Sequence, residues 1–144
     1  MSVNKILVVE DDSVDEMLTL RALKQCKVEN EVDVIRDGGD AVDYLFATGK
    51  YSERDADELP ALVILDLHLP TYDGMEILRR IRANEKTELL PVVMLTSSDD
   101  EKDKKESYKL GVNSFVRKPM QFSDFILAVT QLGRYWLVTS EPPS

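Results

Sequence analysis

Five short apolar runs recur along the chain, and their spacing leaves few folds open. They are KILVVE (5–10), EVDVIR (31–36), ALVILDL (61–67), PVVMLT (91–96) and NSFVRK (113–118). Three of them are almost unbroken Val, Ile and Leu, as expected of parallel strands covered on both faces. Helical periodicity fills the intervals. Val14, Met17, Leu20 and Leu23 recur at i+3 behind Asp12 or Ser13, either of which is a good N-cap. Val42, Leu45 and Phe46 follow a Gly38-Gly39 break, and Ile77, Leu78 and Ile81 follow YDG. Phe122, Phe125, Ile126, Val129 and Leu132 make a last stripe after Pro119. Strands alternating with helices in this way predict a parallel sheet with right-handed crossovers. The expected fold is α/β: a flavodoxin-like, doubly wound (βα)5 sheet of strand order 2-1-3-4-5, with its crevice at the carboxyl ends of strands 1 and 3.

A length of 144 residues suits one domain with one core, so a single domain is expected over 1–144, its fold spanning about 4–138 and TSEPPS (139–144) forming a disordered tail. The polar segment ATGKYSERDADELP (47–60) is long for a connection in a compact domain, which marks it as functional or mobile. The N-terminal apolar run, Ile6–Val9, is too short for a signal-peptide core, and no stretch approaches a membrane-spanning length. With a lone cysteine, Cys26, that has no His near it in sequence, the chain reads as a cytoplasmic protein with an inert thiol. Net charge is −9, and the basic residues are scattered among acids in LRRIRANEK and DEKDKKESYK, which argues against nucleic-acid or anionic-membrane binding.

The catalytic reading begins with three consecutive acids, Glu10, Asp11 and Asp12, at the end of the first strand. Asp66 ends strand 3, Thr96 ends strand 4 and Lys118 ends strand 5, so a parallel sheet brings all of them to one edge. Asp11, Asp12 and Asp66 then converge on the crevice. Two like charges at about 4 Å repel by about 4 kcal/mol at an effective dielectric near 20, several times what a helix dipole returns to acids at its start. Lys118 supplies one compensating charge, and a hard divalent cation with oxygen ligands, Mg²⁺ above all, supplies the rest. Phosphoryl transfer fits such a site, because it needs positioned charge more than covalent help. Asp66 is the expected nucleophile, forming an aspartyl-phosphate; Asp11 and Asp12 hold the metal, and Lys118 and the Thr96 hydroxyl contact the remaining oxygens.

VVEDD, VILDLHLPTYDG, VVMLTSS and FVRKP, in this order, resemble the motifs of the receiver domain of two-component response regulators. The resemblance covers about residues 4–138, and it implies phosphorylation of Asp66 by a sensor histidine kinase. It further implies Asp11, Asp12 and Asp66 as Mg²⁺ ligands together with the His68 backbone carbonyl, Thr96 and Phe115 as a switch pair, and a cis Lys118–Pro119 peptide. No output domain is expected, and the long 47–60 loop with the extension GRYWLVTS resembles the stand-alone regulators paired with bacterial phytochromes. Such a protein is not an enzyme with turnover on other substrates; it catalyses only its own phosphoryl transfer and dephosphorylation. The His68 side chain is expected beside the phosphoryl group, where it affects the approach of water.

Two rivals remain. A haloacid-dehalogenase-like phosphatase wants a second acid two positions after the nucleophile, where this chain has His68 and lacks a DxDGT pattern. A flavin carrier of the same fold wants a Ser/Thr/Gly-rich phosphate loop where this chain has acids. For output, the expected switching surface is helix 4, strand 5 and helix 5. Helix 4, within DDEKDKKESYKLG, is nearly all polar and serves either a solvated or a partner-facing role. Tyr135, Trp136, Leu137 and Val138 are too many consecutive apolar residues for one core-facing stripe, which suggests a homodimer anchored by Tyr135 or Trp136.

Overall fold

A computed structural model of the chain describes residues 5–97, 100–118 and 122–133, leaving aside the side chains at 122, 132 and 133. Five strands, β1 (Ile6–Val9), β2 (Val32–Ile35), β3 (Leu62–Leu65), β4 (Val92–Thr96) and β5 (Ser114–Arg117), pair in parallel in the order β2-β1-β3-β4-β5. Five helices alternate with them: α1 (Ser13–Gln25), α2 (Gly38–Phe46), α3 (Gly74–Ala83), α4 (Glu101–Lys109) and α5 (Phe122–Gly133). The expected flavodoxin-like order is the observed one.

Two cores sandwich the sheet, and strand alternation assigns residues to them. Leu7, Val9, Val63, Leu65, Val92 and Met94 face α2 and α3, meeting Ala41, Leu45, Ile77, Leu78 and Ile81. Ile6, Val8, Leu62, Ile64, Val93 and Leu95 face α1 and α5, meeting Ala22, Leu23, Phe125 and Val129. All eight residues of β1 and β3 are buried, each worth about 1.5–3 kcal/mol of transfer free energy when apolar and fully covered. The centre of the sheet is therefore fully covered on both faces, and the acids sit at its end.

Local details depart from the sequence pattern. In α1 the buried face is Thr19, Ala22 and Leu23, while Val14 and Met17 are 57% and 52% exposed, because the helical period carries them round to the side away from that face. Gly38 and Gly39 form the first turn of α2 instead of preceding it, with Asp37 as N-cap. The 47–60 segment is mostly exposed but is tied to α2 at Tyr44. It holds a 3₁₀ turn (Gly49–Tyr51), Tyr51 meets Tyr44 edge to face at 5.3 Å, and the Arg54 guanidinium stacks 4.1 Å from the Tyr44 ring while donating to the Tyr44 and Glu58 carbonyls. As expected, α4 buries only Ser107. The Lys118–Pro119 peptide, Tyr135, Trp136 and the 139–144 tail lie outside the described residues.

Candidate phosphoacceptor site

The strand register builds the site. Val9 is paired with Leu65, so the next residues, Glu10 and Asp66, emerge side by side at the carboxyl edge, and the Asp66 N–H donates to the Val9 carbonyl at 3.0 Å. By alternation Glu10, Asp66 and Lys118 point to the α1/α5 face, continuing Val8, Ile64 and Val116. One carboxylate oxygen each from Glu10, Asp11 and Asp66 lies within 4.8 Å of the others. Glu10 and Asp66 are buried, whereas Asp11 is exposed and opens the group to solvent.

Lys118 is the cation of the cluster. Its Nζ donates to Glu10 Oε2 at 2.7 Å and to Asp15 Oδ2 at 2.9 Å, and stands 3.6 Å from Asp66 Oδ1. These groups are largely dry: the side chains of Lys118, Glu10 and Asp66 are 10%, 3% and 8% exposed. Burial pushes the Glu10 carboxyl up to about 7, aided by the Asp66 charge and opposed by Lys118 and the Asp12 N–H. Burial likewise raises Asp66 above the usual carboxylate range, against the pull of Lys118, Glu10 and the His68 and Leu67 N–H groups. For Lys118 burial works downward, but the bonds to Glu10 and Asp15 and the Asp66 charge outweigh it, and the net shift is upward. Among the described residues one ammonium thus faces three carboxylates, with Asp11 close to two of them, and the site can accept more positive charge.

Asp12 stands apart from the triad. Its Oδ1 accepts from the Val14 and Asp15 N–H groups at 2.8 and 3.1 Å, which makes it the N-cap of α1, and Glu10 takes the place among the clustered acids that was expected of Asp12. The reason is one residue of register. Glu10 still follows the strand, while by Asp12 the chain has turned into the helix. Glu10 could have been found by counting alternate residues from Val8. Asp15 could not, since its contact with Lys118 spans 103 residues and an acid in a first helical turn otherwise reads as a dipole partner.

Thr96 is fully buried at the end of β4, and its carbonyl accepts the Lys118 N–H at 2.7 Å. Phe115 pairs in register with Met94, half-buried against the α2/α3 core. Alternation puts Thr96 on that same face, continuing Val92 and Met94, so the expected switch pair shares one side of the sheet. His68 is exposed on the β3–α3 loop, and its N–H helps hold the Asp66 carboxylate. The donor set, clustered carboxylate oxygens with one open to water, suits a hard cation of the Mg²⁺ type.

A sequence model described as the response regulator receiver domain matches residues 6–130. The chain belongs to this family. As a receiver domain it serves phosphorylation-dependent signalling, and the haloacid-dehalogenase reading is set aside. The chain is similar to the bacteriophytochrome response regulator RtBRR, at 46% identity and TM-score 0.85 over 99% of this chain and 85% of that one. It is 36% identical to the response regulator Rcp1 of Synechocystis sp. over 96% of this chain and 92% of that protein. The Mn²⁺-bound structure of Rcp1 aligns with TM-score 0.78 and 35% identity, over 98% and 99% of the two chains. The phosphorylated cyanobacterial phytochrome response regulator RcpA aligns with TM-score 0.78 and 36% identity, over 99% and 100%. Among the described residues, no helix is long and apolar enough to cross a membrane.

Proposed function

We propose that this receiver domain takes a phosphoryl group onto Asp66 from the phosphohistidine of a sensor kinase. The observation that carries the reading is a buried strand-end carboxylate, Asp66, set among Glu10 and Asp11 and 3.6 Å from the Lys118 ammonium. An Asp66 carboxylate oxygen attacks phosphorus, the phosphorus–nitrogen bond breaks, and its electron pair stays on the imidazole nitrogen of the donor. Asp11, Asp66 and Glu10, with the His68 carbonyl, would hold Mg²⁺, which supplies positive charge against the phosphoryl oxygens. Lys118 and the Thr96 hydroxyl take the remaining oxygens. Hydrolysis by water returns phosphate and the free carboxylate, with exposed His68 beside the path of that water. Asp12 serves the helix instead.

The output surface is α4, β5 and α5. A groove of about 360 Å³ lies there, lined by Lys104, Tyr108, Phe115, Arg117, Leu127 and Gln131 among others. Movement of Thr96 toward the phosphoryl group lets Phe115 turn inward, and Phe115 is one wall of that groove. The exposed Tyr108 and Leu127 suit a second copy of the chain, so phosphorylation tightens a homodimer to which Tyr135 or Trp136 adds an anchor. The likeness to RtBRR, Rcp1 and RcpA supports a phytochrome as the kinase and the cytoplasm as the compartment. The test is transfer of radiolabelled phosphate from an autophosphorylated bacteriophytochrome kinase. Label should pass to the wild-type chain with Mg²⁺ present and to neither Asp66→Asn nor a chelated sample; label on Asp66→Asn at the wild-type rate contradicts the reading.

A further inference from the structure

We propose that Asp37 is a positioning residue for the phosphoacceptor site: it holds Thr71 in a left-handed turn and so fixes the β3–α3 loop that carries His68. The inference rests on the reading of Asp66 given above. Thr71 has φ 72°, in a region that β-branched residues rarely enter, and the Tyr72 N–H bonds to the Pro70 carbonyl across it at 2.9 Å. These are the marks of the rare, strained form of the three-residue γ-turn. Such a conformation persists only where its surroundings over-determine it.

The surroundings here come from the start of α2. The Thr71 hydroxyl donates to Asp37 Oδ2 at 2.8 Å, while Oδ1 of the same carboxylate caps the helix through the Asp40 N–H at 3.0 Å. The bond from Thr71, foremost, holds the Asp37 carboxyl below the usual carboxylate range. Beside it the Gly38 N–H donates to the Pro70 carbonyl at 3.0 Å. Packing is close enough that a Cβ on Gly38 would lie 1.9 Å from the Tyr72 carbonyl oxygen. At its base the loop is closed by the Gly74 N–H on the Leu67 carbonyl at 2.8 Å. Between these two anchors run Leu67 and His68, whose N–H groups hold the Asp66 carboxylate, and the His68 carbonyl. With the outer anchor gone, the turn can relax to negative φ and the loop can shift with it. Asp37 acts through Thr71 and the loop and touches none of the clustered acids.

The test uses the full chain and Mg²⁺ itself. Thr71→Val deletes the hydroxyl and keeps the shape; Thr71→Ser keeps the hydroxyl; Asp37→Ser can still cap α2 but is too short to reach Thr71. His68 is the only histidine, so its imidazole NMR signals report loop position without further labelling. Thr71→Val and Asp37→Ser should weaken Mg²⁺ binding about three- to tenfold, less than the full worth of a bond to a charged group because only the placing of the loop is lost, and shift the His68 signals before metal is added. Thr71→Ser should stay near wild type in both. If one of the two disruptive variants does not fold, the other decides. Wild-type affinity and unshifted His68 signals in a folded disruptive variant overturn the inference while leaving Asp66 as phosphoacceptor. A wild-type chain that neither binds Mg²⁺ nor is phosphorylated at Asp66 overturns the underlying reading.

Discussion

Replacing Lys118 by Met removes the one ammonium from the acid cluster and keeps most of its aliphatic bulk. The side chain is 10% exposed, bonds buried Glu10 at 2.7 Å and partly exposed Asp15 at 2.9 Å, and stands 3.6 Å from buried Asp66, so its loss strands Glu10 and Asp66. Stranding one partner of a buried pair costs about 3–5 kcal/mol. Protonation softens that loss. Glu10, already pushed up to about 7 by burial, becomes neutral near physiological pH at little further expense. What remains falls chiefly on Asp66, and the expected net destabilisation is about 2–3 kcal/mol in the presence of a chelator. The same charge argument fixes the response to metal. Without the ammonium the cluster attracts a divalent cation more strongly, and a tenfold gain in affinity would add about 1.4 kcal/mol to the Mg²⁺-induced stabilisation at saturating metal. Urea unfolding followed by far-UV circular dichroism, on wild type and Lys118→Met with chelator or millimolar Mg²⁺, gives all four stabilities. Equal stability of the two proteins in chelator, or a Mg²⁺ increment no larger in the variant, refutes the electrostatic account of the site.

Asp12→Ala should cost about 1 kcal/mol of stability by uncapping α1 and leave Mg²⁺ affinity near wild type, whereas Asp11→Ala should abolish specific Mg²⁺ binding. Calorimetric titration decides, and a loss in Asp12→Ala as large as that in Asp11→Ala returns Asp12 to the ligand set. Gly38→Ala places a Cβ against the Tyr72 backbone and should destabilise by about 1–3 kcal/mol in urea unfolding. Arg82 donates to the carbonyls of Gly111, Glu88 and Leu90 and to Asn113 Oδ1, joining α3 to the ends of β4 and β5. An ammonium cannot reproduce that fork, so Arg82→Lys should lose about 2 kcal/mol, and wild-type stability would count against the clamp.

The fold was legible because β1, β3 and β4 are short continuous apolar runs that alternate with helical periodicity, the pattern of a parallel sheet covered on both faces. Asp66, Thr96 and Lys118 were legible for a related reason: each ends a strand, and parallel strands end together. Choosing among Glu10, Asp11 and Asp12 was harder, since a one-residue change of register sends a side chain to the other face. Only the strand before them offers a pattern by which to count, and counting on from Val8 singles out Glu10. The i+3 stripe of Val14 and Met17 misled because periodicity reports a shared helix face, not what covers it. Thr71 was illegible in principle. A β-branched residue gives no sign that it will be held at positive φ, and the hydroxyl partner that holds it is 34 residues away.

The central claim is that Asp66 is the single phosphoacceptor of a cation-dependent site. Intact-mass spectrometry after incubation with acetyl phosphate and Mg²⁺ tests it most directly, because it counts phosphoryl groups on the whole chain without reference to any kinase. The account predicts a mass gain of one phosphoryl group on the wild-type chain, absent in Asp66→Asn and absent when the metal is chelated. A gain of the same size and rate on Asp66→Asn, or on the wild-type chain in chelator, would contradict it.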